Sequence, residues 1–215
     1  MKDIIIKTFS DLEEITDCVS SSALFRGVSN VNYELKPSLF RHDNIGDVKM
    51  REAHLMWLFK TSAKAHLKNV PSSDIEWLVV AQHHGLPTRL LDWSLSPLVS
   101  LFFALSSSSD NDAGIYVLDR QDFMKEENID VNKLSDIKAI IPSHLSPRVT
   151  AQSGMFTVHP DNKPILTGDD IMKLVIPKEN KKQLMKKLVK YGVHHGTIYP
   201  SLDGISSYIK YQQGY

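Results

Sequence analysis

Between Ser73 and Leu105 the chain spells out a helix, a turn, a strand and a second helix, with punctuation at each junction. Ser73 stands three residues before Glu76, the capping-box spacing, ahead of the apolar run Trp77-Leu78-Val79-Val80-Ala81. Gly85 suits the helix exit and Pro87 the turn that follows. Residues 86–93 read as a strand. Ser96 then caps a helix with Pro97 at its first position and Leu98, Leu101, Phe102 and Leu105 on one face. Such a passage fits only a fold in which helices pack on a sheet.

The rest of the chain supplies more of both elements. Residues 8–20 form a predicted helix, with Ser10 as cap and Glu13 three residues on. A short strand, Ala23-Leu24-Phe25-Arg26-Gly27, follows. Residues 47–67 carry a long helical pattern that Pro71 stops, and 106–112 read as a polar loop. Further strands are expected at 114–118, near 137–141, at 148–159 and at 171–176. Helices are expected at 179–191, rich in lysine and ended by Gly192, and at 202–210. The order has no regular strand–helix alternation, so the predicted class is α+β, a mixed sheet core flanked by helices. The expected organisation is a single domain over 1–215, with 1–22 as a helical extension and 23–210 as the core.

Composition removes several function classes. The single cysteine, Cys18, excludes an intrachain disulfide framework and any zinc site built on several cysteines. Lys+Arg and Asp+Glu number 25 each, so nothing in the net charge points to nucleic acid or a membrane surface. The apolar start Ile4-Ile5-Ile6 is too short for a signal-peptide core, and no run approaches a membrane span. The expected location is the cytoplasm. The lysines at 178–190 read as a solvated helix face, without the interleaved aromatics of a stacking surface.

Chemistry concentrates in three places. Arg26 stands in an apolar strand, where a buried guanidinium needs a partner. That partner is either an acid, Asp92 or Glu34, or a phosphate or ribose, with Gly27 opening the backbone to a ligand. The segment 82–94 gathers Gln82, His83, His84, Arg89, Asp92 and Ser94. Strand alternation puts Thr88, Leu90 and Asp92 on one face and Arg89, Leu91 and Trp93 on the other. Adjacent His83 and His84 point about 100° apart on a helix and cannot share a metal as an i, i+4 pair does. No metal ligand set is therefore assigned. Gln152, Gly154 and Phe156 are expected on one side of a strand, with Gly154 marking a close approach.

Several ordered motifs resemble the FRG-domain family. They are Phe25-Arg26-Gly27, the segment Tyr33 through Arg41, the segment Ala81 through Trp93 with its following helix, the Gln152-x-Gly154-x-Phe156 element, and Tyr199-Pro200-Ser201-Leu202-Asp203-Gly204. The resemblance implies a bacterial or phage protein of a defence or toxin context. The motif order is also similar to that of ADP-ribosyltransferases, which place an Arg or His on an early strand, a Ser or Tyr before a helix, and a late Glu. Arg26, Ser94 with Ser96, and Gln152 come in that order. The likeness implies NAD as substrate, Arg26 gripping phosphate or ribose and Gln152 orienting the ribose. His83, His84, Arg89, Ser94, Gly154 and Phe156 would line the pocket. Gln152 lacks the charge of the usual Glu, and losing one aimed electrostatic group costs about 3–4 kcal/mol of transition-state stabilisation. Either another acid substitutes, Asp92 first among them, or the fold binds a nucleotide without turnover.

Two other readings stand beside this one. A non-catalytic sensor or interaction module would use the polar cluster as an internal hydrogen-bond network and take a protein as its partner. A metal-dependent hydrolase or nuclease would draw on the histidines, with His194 as a remote ligand.

Overall fold

The computed structural model describes residues 3–41, 46–107, 110–120, 122–142 and 147–215. Ser108 and Ser109 of the polar loop expected at 106–112 lie outside the described residues.

In chain order the elements are β1 (Asp3–Ile5), α1 (Phe9–Cys18), β2 (Leu24–Val28), α2 (Val48–Ala63), α3 (Asp74–His83), β3 (Leu90–Ser94), α4 (Pro97–Leu105), β4 (Ala113–Leu118), β5 (Phe123–Lys125), β6 (Lys138–Ile141), α5 (Pro147–Ala151), β7 (Gly154–Val158), β8 (Ile171–Ile176), α6 (Lys178–Lys190), α7 (His195–Ile198) and α8 (Leu202–Gln213). The strands form one sheet in the order β1-β8-β4-β2-β3-β7-β6-β5. The outer pairs β1–β8 and β5–β6 are parallel and the inner pairings antiparallel. The protein is α+β with a mixed sheet, as the sequence implies.

One face of the sheet is covered in two halves. Phe25, Ile115, Val117 and Leu174 pack against Leu12 of α1, Leu101 and Phe102 of α4, and Leu184 and Leu188 of α6. Leu90, Ile140, Phe156 and Val158 pack against Met56 of α2 and Ile75, Leu78 and Val79 of α3. The opposite face, with Leu24, Leu91, Trp93, Leu118 and Met155, is closed by Leu35, Ile137 and Leu166 from the connections.

The two halves part above the seam between β2 and β3. These strands share the single pair Phe25↔Ser94, whereas β2 pairs with β4 along its whole length and β3 does so with β7. A sheet that opens between two fully paired neighbours leaves unpaired main chain facing a gap, and something polar must fill it.

The punctuation read from the sequence has its physical counterpart. Ser73 Oγ accepts from Glu76 N, and Ser96 Oγ accepts from Val99 N. Gly85 has φ +87°, with Gly85 N bonded to Gln82 O and Leu86 N to Ala81 O, a Schellman exit from α3. That exit and Pro87 delay β3 to Leu90, four residues later than expected.

Other expectations are corrected. Thr8, not Ser10, caps α1, in a reciprocal box with Asp11. β1 pairs with β8 and Leu12 is buried in the core, so the segment expected as an extension is built into the same sheet. The strand expected at 148–159 divides: Pro147–Ala151 is helical, Ser153 turns with φ +46°, and β7 starts at Gly154. Val149 and Thr150 lend this stretch a strand-like composition. Pro147 at the helix start, with the bonds Gln152 N→Arg148 O and Ser153 N→Thr150 O, overrides it. α7 and β5 carry no pattern strong enough to be read in the sequence.

Candidate functional site

A cavity of about 410 Å³ occupies the gap above the β2–β3 seam, between α4 on one side and α3 with α5 on the other. Arg26, Asp92 and Gln152, far apart in the chain, all line it. Gly27, His83, Ser94, Gly154 and Phe156 do so as well.

Arg26 is held across the seam. Its Nη1 donates to the Asp92 main-chain oxygen at 2.6 Å and stands 3.7 Å from Asp92 Oδ2. The guanidinium thus occupies the gap where a ladder bond between β2 and β3 would otherwise run. Its side chain is 17% exposed, and its Nε is buried with no hydrogen-bond partner. Burial pulls the Arg26 pKa down while the Asp92 carboxylate pulls it back up. A guanidinium with a spare buried donor in a cavity wall is a group prepared for an acceptor.

Asp92 is turned by a short relay. Thr88 Oγ1 donates to Gln82 Oε1, and Gln82 Nε2 donates to Asp92 Oδ1 at 2.7 Å. The Asp92 side chain remains 62% exposed toward the cavity.

Gln152 lies in the turn after α5 rather than in a strand. Its Nε2 donates to Ile198 O at 3.2 Å, tying that turn to α7. Ser94 Oγ donates to the Gln152 main-chain oxygen at 2.7 Å and accepts from Ser96 N. Ser94 is 3% exposed, and these bonds splice β3 to the turn and to the start of α4.

The close approach at Gly27 is by the protein itself. A Cβ there would meet Ser100 O at 1.8 Å, so only glycine lets α4 lie on β2. At Gly154 a Cβ would meet Val149 at 3.4 Å, an ordinary contact, and the close approach expected there is absent.

Two residues expected in the pocket stand elsewhere. Arg89 is 4% exposed and sealed beneath α2. Its Nε donates to Glu52 Oε2 at 2.6 Å, and its Nη2 bonds Asp161 at 3.1 Å. The resemblance placed it in the pocket, but Arg89 precedes β3 and its charge is matched by Glu52 and Asp161. His84, at the exit of α3, borders a neighbouring hollow instead of the main cavity.

The cavity also holds charged groups that the sequence reading did not assign to it. Arg41 Nε donates to Lys36 O at 2.9 Å, and the Arg148 guanidinium lies 4.7 Å from the centre of the Tyr199 ring. Both line the cavity with Arg26, so three guanidinium groups face two carboxylates, Asp92 and Glu34. Each of the missed arginines ends a motif singled out in the sequence: Arg41 closes the segment from Tyr33, and Arg148 opens the one through Phe156. His83 has its pKa lowered, first by burial and then by Arg148 and His84, so its imidazole is neutral at pH 7.

Among the described residues no three His, Cys, Asp or Glu side chains gather as a metal-ligand set. His194 stacks on Tyr208 at 3.6 Å, and His195 packs edge-on against Phe102. Among the described residues no helix is long and apolar enough to cross a membrane.

Fold and site together define an α+β protein with an arginine-lined cavity at a split in its sheet. The family model described as FRG domain matches residues 21–113, so this segment is similar to that family. Arg26, Arg41, His83 and Asp92 lie inside the matched segment, whereas Arg148 and Gln152 lie beyond it. Comparison with curated proteins and with solved structures gives no match.

Proposed function

We propose that the cavity binds a phosphorylated nucleoside of the NAD or ADP-ribose type. The observation that carries this reading is the Arg26 guanidinium, with its unpartnered buried Nε, in the wall of a cavity of about 410 Å³ shared with Arg41 and Arg148. That volume is within the range of small-molecule sites, roughly 300–1,000 Å³. Arginine forks fit phosphate oxygens, and the excess of guanidinium over carboxylate favours an anion.

The same geometry supports cleavage of the bond between ribose and nicotinamide, leading to ADP-ribose transfer or NAD hydrolysis. As the C1′–N bond breaks, its electron pair passes to the cationic ring nitrogen, which becomes neutral, and positive charge grows on the sugar. A carboxylate turned toward the sugar stabilises that charge, as it does in glycoside hydrolysis. Asp92 is suited to this role through Gln82. Water or an acceptor group of a target protein then bonds to C1′ and gives up a proton, for which neutral His83 is a receiver. Gln152 braces the cavity floor against α7.

Calorimetric titration with NAD and ADP-ribose tests the reading. Wild-type protein is expected to bind, and Arg26→Ala to weaken binding at least about tenfold, as loss of a charge-assisted pair does. Absence of heat with NAD, ADP-ribose and ADP alike would overturn it.

The alternative of a non-catalytic module with a protein partner draws on the Thr88–Gln82–Asp92 relay, an internal network of the kind it requires. It expects Asp92→Asn to unfold the protein readily and no nucleotide to raise its melting temperature.

A further inference from the structure

A second hollow of about 230 Å³ adjoins the arginine-lined cavity. Val79, His83 and Val149 border both, so the His83 ring stands between two compartments of one cleft. The compartments differ in chemistry. The larger is lined by three arginines and two acids. Among the described residues the smaller has no acid in its wall; Leu67, Val79, Val80 and Val149 form its apolar sides, and Lys68 and Asn69 stand at its exposed rim. His84 closes it, with its ring edge-to-face against His83 at 5.2 Å.

We infer that this second hollow is the subsite for a heteroaromatic ring carried on the same sugar phosphate, making the cleft bipartite with His83 as the partition. The inference rests on the proposed nucleotide reading and adds to it a place for the base. Aliphatic walls and an imidazole edge suit the faces of a flat ring, which gains by leaving water and by edge-to-face contact. Asn69 and the Lys68 ammonium at the rim offer donors to ring nitrogens or carbonyl oxygens. A compartment whose described lining holds no carboxylate and a single rim cation is poorly suited to phosphate, and the larger one has the opposite character. The division therefore sets the direction of the ligand: phosphate toward Arg26, ring toward Val80.

Two comparisons test this. In the wild type, AMP is expected to bind at least about tenfold more tightly than ribose 5-phosphate, which differs from it only in lacking the base, the difference that a buried ring supplies. In Val80→Phe, which fills the hollow from the surface of α3, AMP affinity is expected to fall to that of ribose 5-phosphate while pyrophosphate binding stays unchanged. The wild-type comparison uses no variant, so it stands even where Val80→Phe fails to fold. Equal affinity of AMP and ribose 5-phosphate, or full AMP affinity in folded Val80→Phe, overturns the bipartite cleft and leaves the phosphate site standing. Absence of binding by ADP, AMP, ribose 5-phosphate and pyrophosphate alike overturns both.

Discussion

Arg26 bonds the main-chain oxygen of Asp92 at 2.6 Å while its guanidinium stands 3.7 Å from the carboxylate of the same residue. One side chain thus closes a split in the sheet and fixes the charge of the cavity. The two roles separate on substitution. Arg26→Lys keeps a cation but loses the fork and its Nε donor. Thermal melts are expected to show a modest loss of stability, about 1–2 kcal/mol for the lost bond, together with a larger proportional loss of nucleotide affinity.

The exposure of Asp92 sets a second expectation. Its side chain is 62% exposed and its pairing with Arg26 is loose. Asp92→Asn is therefore expected to change folding stability in urea by less than about 1 kcal/mol. Turnover of NAD, followed by nicotinamide release, is expected to fall about a hundredfold or more. Loss of folding with turnover unaffected in the remaining folded protein would favour the interaction module.

Arg89 is expected to behave in the opposite way. Its charge is 4% exposed and matched by Glu52 and Asp161. Removing one partner of such a buried pair strands the other, so Arg89→Ala is expected to lose about 3–5 kcal/mol in chemical denaturation. A double variant, Arg89→Met with Glu52→Leu, removes both charges and is expected to recover much of that loss.

His159 makes folding sensitive to acid. Its ring is fully buried, with Nε2 against Thr157 Oγ1 and Nδ1 against Pro164 O. Burial pushes its pKa down to about 4 from an ordinary 6.5. The unfolded chain therefore takes up this proton at higher pH than the folded one, and acid favours unfolding. The contribution is complete above pH 6.5 and is lost as pH falls toward 4, amounting to about 3 kcal/mol. Denaturation midpoints across that window are expected to slope with pH in the wild type and less so in His159→Gln.

What could be read in advance follows from the range of the forces involved. Caps, exits and apolar periodicity are local, and Ser73, Gly85, Ser96 and Pro97 mark α3 and α4 correctly because each acts within one turn of itself. The convergence of Arg26 and Asp92 was legible as a need: a guanidinium in an apolar strand demands a partner. That the need is met across a split between β2 and β3 depends on strand pairing, which no local pattern encodes. Gln152 shows the cost of reading composition alone. Val149, Thr150 and Phe156 suggest one continuous strand, but Pro147 and the turn at Ser153 break it and send the Gln152 amide to Ile198. Arg41 and Arg148 escaped notice as site residues because their distance from Arg26 exists only in the fold.

The central claim is that three arginines from separate segments hold one phosphorylated ligand at the split in the sheet. A crystal of the protein saturated with ADP-ribose measures this directly. The expected result is density for the pyrophosphate in the cavity, with an oxygen within hydrogen-bond distance of Arg26 Nε. An empty cavity at saturation, or a pyrophosphate bound away from Arg26, would contradict it.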